Sequence, residues 1–209
     1  MTQRSPWPKA MAFAALGAAN VLSADSDHPS ARSLLTDAAD AMTVLGDCRG
    51  WPWPEPRLTY ANAVIPEAMI AAGSALDRPA LQRRGLELLE WLLARETQRG
   101  HLSVTPVGGS GREDRGPGFD QQPIEAAALA DACVRARDVD GGQRWRDGIT
   151  AAINWFLGGN DGDVLMWDAH TGGGFDGLQR SGANLNQGAE STLAFLSTMQ
   201  HARLAVGVL

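Results

Sequence analysis

Apolar residues recur every three or four positions in seven segments of the chain, which is the period of an amphipathic α-helix. The clearest segment carries Ile149, Ala152, Ile153 and Phe156 at this spacing. No segment alternates apolar and polar residues as a half-buried strand does. The pattern predicts an all-α fold of about seven helices. We place them at 6–24, 29–45, 60–76, 78–93, 122–138, 143–157 and 189–205.

Short turns alternate with long connections, which predicts three helix hairpins followed by a last helix. Asp77 is placed to cap the fourth helix just before Pro79, and Pro66 predicts an irregularity in the third. If the hairpins stack side by side, every second connection lies at the same end. The long loops at 50–56, 100–118 and 158–188 would then share one rim. Alanine on several helix faces favours layered or ring-shaped stacks.

Composition narrows the class of protein. The chain has 209 residues, enough for one domain spanning 1–209, and its net charge of -6 argues against a nucleic-acid partner. No apolar segment approaches the roughly 20 residues of a membrane span, so we expect a cytoplasmic protein. Cys48 and Cys133 form no CxxC pair, and the four histidines lie apart. We therefore expect no disulfide, no metal site and no cofactor.

The expected rim carries flat aromatic rings, amides and carboxylates, which are the residue types that bind sugars and cleave glycosidic bonds. The tryptophans could instead pack the Pro-rich loop, and the acids could instead cap or complement helix N-termini. The candidate catalytic carboxylates are Glu125, Asp176 and Glu190. The candidate sugar-binding residues are Trp51, Trp53, Glu55, Asp120, Gln121, Gln122, Trp167, Asn186 and Gln187.

Five motifs, at 53–63, 119–126, 155–161, 171–178 and 184–192, carry a resemblance that spans nearly the whole chain. They resemble an α-helical domain attached to bacterial glycosyltransferases of the GT-B class. That domain is similar to the (α/α) toroids of six-hairpin glycosidases and N-acylglucosamine 2-epimerases. The resemblance implies a saccharide ligand, and it adds Tyr60 and Asn62, in the first motif, to the candidate sugar-binding residues.

Two departures limit this resemblance. The relatives tend to have an acid where this chain has Ala61. They also usually carry another helical half, so the chain resembles the second half of a toroid and would form an incomplete ring. No nucleotide-sugar domain is present, so glycosyltransferase activity is not expected. The open flanks of such a ring would be apolar, which predicts a homodimer or a complex with a chain that supplies the other half.

Three functions follow as hypotheses. The first is a carbohydrate-active domain that binds a saccharide at the loop rim and hydrolyses it with a pair of carboxylates. The alternative is a non-catalytic saccharide-binding or scaffolding module that works with a separately encoded glycosyltransferase. A sugar epimerase is the least favoured, because the four histidines do not lie where inner helix ends would place a proton-transfer group.

Overall fold

The computed structural model describes residues 4–43 and 50–206, with side chains through 203. The all-α prediction is confirmed, since this part of the chain contains seven α-helices. They are α1 (Pro8–Ala24), α2 (Pro29–Thr43), α3 (Val64–Ala75), α4 (Pro79–Glu96), α5 (Pro123–Asp140), α6 (Gln143–Phe156) and α7 (Ala189–Val206). The end of the second predicted helix, at 44–45, and Cys48 lie outside the described residues.

Three short antiparallel strand pairs lie in the connections. The pairs are β1 (Arg57–Leu58) with β4 (Ser110–Gly111), β2 (Thr97–Gln98) with β3 (His101–Leu102), and β5 (Gly177–Gln179) with β6 (Gly182–Asn184). The hydrophobic pattern does not predict them, because strands of two or three residues are too short to show alternation. They give the long loops a defined backbone path.

The chain divides into two compact units, where the sequence predicts one domain. Unit 1 comprises Met1–Pro54 and Ala63–Trp91, and unit 2 comprises Glu55–Asn62 and Leu92–Leu209. In unit 1, α1 packs against α2 and α3 through small buried residues such as Ala12, Ala15 and Ala38. Small side chains let these neighbouring helices approach closely.

Helix α3 begins at Val64, four residues later than predicted. Ala61 has a left-handed backbone (φ 47°), which a right-handed helix cannot include. Pro66 is therefore the third residue of the helix, where a backbone N–H would have no intrahelical acceptor. The predicted irregularity at Pro66 is wrong for this reason.

Asp77 ends α3 rather than capping α4. Its backbone is left-handed (φ 52°), and the N–H of the next residue, Arg78, donates to the Gly73 carbonyl at 2.8 Å. This pattern is typical of a helix C-terminus. Helix α4 then begins at Pro79, so the predicted N-cap lies one residue too far upstream.

In unit 2, α5 packs against both α6 and α7. The buried face of α6 carries Trp145, Trp155 and Phe156, while Gly148 allows close approach to Cys133 of α5. Burial raises the pKa of the Cys133 thiol to about 12, so the thiol stays protonated in the core.

Gly148→Ala is expected to lower the free energy of unfolding by about 2 kcal/mol, because the added methyl overpacks the core. Its Cβ would lie 2.7 Å from Cys133 Sγ and 3.2 Å from Leu93 Cδ1. Gly17→Ala, in the exposed face of α1, is the matched control. No described heavy atom lies within 4 Å of its added Cβ. Urea denaturation should show a gain of about 0.5–1 kcal/mol there, and a loss at both sites would contradict the packing argument.

Large apolar side chains are exposed on the first and last helices: Phe13 (49%) and Val21 (41%) on α1, and Leu193 (66%) and Leu196 (45%) on α7. The homodimer, or the complex with a second chain, that the sequence predicts stays a prediction. Among the described residues, no helix combines the length and the apolar character needed to cross a bilayer.

Candidate functional site

Glu125 holds the turn at 59–62 in unit 2. It lies in the first turn of α5 and is 2% exposed. Its Oε1 accepts the Ala61 N–H at 2.5 Å, and its Oε2 accepts the backbone and side-chain N–H groups of Asn62, each at 3.0 Å. Asn62 is itself fully buried, and its Oδ1 accepts the Thr59 N–H at 2.9 Å. Glu125 and Asn62 therefore position a loop and have no surface on which to contact a sugar.

This turn contains backbone strain that the Glu125 carboxylate offsets. A left-handed conformation at a residue other than glycine costs of order 1–3 kcal/mol and persists only where the surroundings determine it. Ala61 is 1% exposed, and its N–H points at a buried carboxylate. A charged acceptor makes a stronger hydrogen bond than a neutral one, so the carboxylate can hold this conformation.

Glu96, at the end of α4, is a second buried carboxyl group that the sequence analysis missed. It is 2% exposed, and its Oε1 accepts the Thr105 N–H at 3.0 Å and also the Thr105 hydroxyl. Burial, and next the charge of Glu125, raise the pKa of Glu96 to about 8. Leu89, Leu92 and Glu96 share one face of the helix, so an acid at the end of an apolar stripe is the signal that could have revealed it.

Tyr60 and Glu190 form a polar pair at the surface of unit 2. The Tyr60 hydroxyl donates to Glu190 Oε2 at 2.7 Å, Tyr60 is 42% exposed, and Glu190 is exposed. Burial of part of the ring, the hydrogen bond to Glu190, and the charges of Glu190 and Glu125 raise the pKa of Tyr60 to about 12. The phenol therefore remains a neutral donor at all ordinary pH values.

Asp176 fixes the segment that leads into α7. Its carboxylate accepts the Ser191 hydroxyl and the Gly188 N–H, each at 2.7 Å, and also the Asn186 side-chain amide. The Ser191 hydrogen bond first, and then those from Asn186 and Gly188, outweigh desolvation and hold the pKa of Asp176 below its usual range. Asp176 is thus an ionised acceptor whose lone pairs are largely engaged by the protein.

A similar contact holds Gln187. Its Nε2 donates to Asp168 Oδ2 at 3.1 Å, and its Oε1 accepts the Thr171 hydroxyl at 2.7 Å. Asn186 and Gln187 lie just before α7, and Glu190 lies in its first turn. All three side chains are exposed, and Glu190 accepts the hydrogen bond from the Tyr60 hydroxyl. We call Tyr60, Asn186, Gln187 and Glu190 the α7 rim.

Gln121 belongs to a buried relay rather than to a sugar-binding surface. It is 0% exposed, and its Oε1 accepts the Trp155 indole N–H at 3.1 Å. Its Nε2 donates to Asp161 Oδ2 at 2.7 Å, and Asp161 Oδ1 is 3.0 Å from His101 Nε2. Desolvation opposes ionisation of Asp161, but the nearby Ser103 hydroxyl and the hydrogen bonds with His101 and Gln121 lower its pKa overall.

Of the three candidate tryptophans, two are core residues. Trp51 (5% exposed) and Trp53 (2%) pack in unit 1 against Trp91, with ring centroids 5.2 Å and 6.0 Å away. Rings this deeply buried cannot stack on a saccharide, so the expected sugar-binding role does not fit. The alternative, that these tryptophans pack the Pro-rich loop, does fit. Trp167, in unit 2, is half-buried, and one face of its ring is stacked on Phe195 at 5.2 Å.

The remaining candidates are half-buried. Glu55 lies in the Pro-rich loop, and Gln122 is the N-cap residue of α5. Asp120 does not cap α5, since its Oδ2 accepts the Gln179 side-chain amide at 3.3 Å instead.

Two of the three long loops meet in unit 2. Gln121, just after the loop at 100–118, exchanges backbone hydrogen bonds with Leu178, which lies in the loop at 158–188. Asp161 and His101 join the same two loops through their side chains. The third loop, at 50–56, is divided between the two units, each of which we describe by itself.

Neither the metal-ligand pattern nor comparison with known proteins assigns a functional class to this site. Over residues 4–43 and 50–206, no group of three or more His, Cys, Asp or Glu side chains could hold a metal ion. No protein-family model matches the chain, and no curated protein matches it either.

Proposed function

We propose that this chain is a helical saccharide-binding domain whose ligand lies on the α7 rim. The observation that carries the proposal is the exposed Tyr60 ring, held by its hydrogen bond to the exposed Glu190 beside two exposed amides. An aromatic ring offers an apolar face for sugar C–H groups, while amides and carboxylates bond to sugar hydroxyls. The resemblance to glycosyltransferase-attached helical domains supports the same ligand class.

Preorganisation supports binding at this surface. Glu125 fixes the backbone that presents Tyr60, and Asp176 fixes the backbone that presents Asn186 and Glu190. A surface ordered before the ligand arrives loses less conformational entropy on binding. The buried carboxylates therefore act through the loops that they hold.

The burial and hydrogen bonding of the carboxyl groups favour a site that binds a saccharide without hydrolysing it. A general acid must reach the leaving oxygen, yet Glu96, the carboxyl group with a pKa raised to about 8, is 2% exposed. Glu125 and Asp176 each accept three hydrogen bonds from the protein. We accordingly favour the non-catalytic module, which would present a saccharide to a separately encoded glycosyltransferase.

Titration of the full chain with a panel of glucans and mannans, followed by saturation-transfer NMR, tests this proposal. We expect Tyr60→Ala to weaken binding roughly tenfold, because it removes the ring, and Tyr60→Phe to weaken it much less. Glu190→Gln should also weaken binding, whereas Glu113→Gln, at a side chain that is 85% exposed in another loop, should not.

An unchanged spectrum across the whole panel, or equal effects at Glu190 and Glu113, would refute a saccharide site on the α7 rim. A reducing-end assay on any saccharide that binds separates the two functions. Turnover that is lost in Glu190→Gln but kept in Glu113→Gln would establish hydrolysis in place of the non-catalytic role.

A further inference from the structure

A cleft of about 490 Å³ opens on unit 2 along the exposed side of α6. Its polar lining comes from Asp147, Thr150 and Asn154 of α6 and from His101 of β3. Ala151 and the half-exposed Leu157 contribute apolar surface. The volume falls within the range of small-molecule sites. None of the residues that form the α7 rim lines this cleft.

His101 is held rigidly at the wall of the cleft. Its Nε2 lies 3.0 Å from Oδ1 of Asp161, whose side chain is 2% exposed. An ionised carboxylate can only accept, so Nε2 carries the hydrogen and Nδ1 is the acceptor of the neutral ring. The relay of Gln121 and Trp155 behind Asp161 fixes this orientation. The His101 ring is therefore preorganised, because each side chain in this series is oriented by a hydrogen bond to the next.

Thr150 and Asp147 also present acceptors to the cleft, and the Asn154 side-chain amide can both donate and accept. The Thr150 hydroxyl donates its hydrogen to the Arg146 carbonyl at 2.9 Å, which leaves the oxygen to accept. Asp147 takes one hydrogen bond, from Gln143 Nε2 at 3.0 Å, and its carboxylate is exposed. The lining residues, all in the described part of the chain, include no Lys or Arg. Such a set of acceptors favours a cationic donor and disfavours anions such as phosphate.

We propose that this cleft is a second ligand site, which binds a protonated primary amine on a small hydroxyl-bearing molecule such as an amino sugar. The ammonium group pairs with Asp147 and donates to His101 Nδ1, while the ligand hydroxyls meet Thr150 and Asn154. The site is separate from the α7 rim, and its occupancy does not depend on the saccharide-binding proposal.

The test is a ¹⁵N NMR titration of the full chain at pH 7, where the amine of glucosamine is mostly protonated, with glucosamine, glucose and N-acetylglucosamine as probes. Glucosamine should shift the amides of residues 100–101 and 147–159. Glucose and N-acetylglucosamine, which lack the free amine, should bind about tenfold more weakly, since each loses a charge-assisted hydrogen bond. The three probes share a sugar ring, so their difference reports the amine alone.

Two exposed aspartates supply the matched variants. Asp147→Asn should weaken glucosamine binding about tenfold, and Asp138→Asn, on α5 and outside the cleft, should leave it unchanged. His101→Phe removes the second acceptor, and its folding is checked from the spectrum before titration. Equal binding of glucosamine and glucose, equal loss in the two aspartate variants, or no shift in the cleft amides would each overturn the proposal. Shifts confined to the α7 rim would support that site and refute this one.

Discussion

Replacing Glu125 with alanine is expected to lower the free energy of unfolding by about 4 kcal/mol, because three buried donors lose their acceptor together. These donors are the backbone N–H groups of Ala61 and Asn62 and the Asn62 side-chain amide. The same variant also removes the hydrogen bond that offsets the cost of the left-handed conformation at Ala61. Glu125→Gln keeps one oxygen as an acceptor but turns an amide toward a donor, so we expect an intermediate loss.

Urea denaturation followed by circular dichroism measures this loss. Glu113→Ala is the matched control, since its side chain is 85% exposed and it should change stability by less than about 0.5 kcal/mol. A Glu125→Ala variant as stable as the control would show that the carboxylate does not hold the turn. Because Tyr60 is the one tyrosine of the chain, its ring NMR signals report the loop directly.

Glu96→Gln is expected to remove a pH dependence of stability. The folded-state pKa of Glu96, about 8, lies above its ordinary value of 4.5, so the folded chain keeps a proton that the unfolded chain loses. The stabilising contribution is fully present below about pH 4.5, declines as pH rises, and is lost once pH passes 8. Between these limits the wild-type free energy of unfolding should fall, relative to the glutamine variant, by about 1.4 kcal/mol per pH unit.

The measurement compares urea denaturation of the two proteins between pH 5.5 and pH 8.5, a range chosen to span the decline that the pKa of about 8 implies. Glu87→Gln, on an exposed face of the same helix, is the control and should run parallel to wild type. Parallel pH profiles for wild type and Glu96→Gln would show that Glu96 is already ionised in the folded chain. A slope that disappears only in Glu96→Gln would establish the neutral buried acid.

The sequence predicts the helices well because their signal is local. Apolar residues three and four positions apart define a helix face without reference to the rest of the chain, as Ile149 and Ile153 do in α6. Helix ends depend on single backbone conformations, and the left-handed Ala61 and Asp77 could not be foreseen from residue type. The three strand pairs each join segments that are too short to carry a pattern of their own.

The candidate site was only partly predictable, because its contacts are tertiary. Glu125 could be singled out as an acid at a helix start, but its partners lie 63 and 64 residues earlier in the chain. The partner of Tyr60 is 130 residues away. Residue type alone makes Trp51 and Trp53 candidates, and their contact with Trp91 decides their burial. Residue type therefore indicated the chemistry, and the fold decided which side chains are accessible.

The interleaved course of the chain through its two units limits how the protein can be divided. Residues 55–62 belong to unit 2, although the segment that follows them, with α3 and most of α4, belongs to unit 1. A shortened gene that began at codon 92 would encode α5, α6 and α7 without the turn that satisfies Glu125. The peptide would then bury an ionisable carboxyl group with its donors missing. Any attempt to isolate this half, or to graft it onto another protein, must therefore include residues 55–62, either as a separate peptide or fused to the half through a linker.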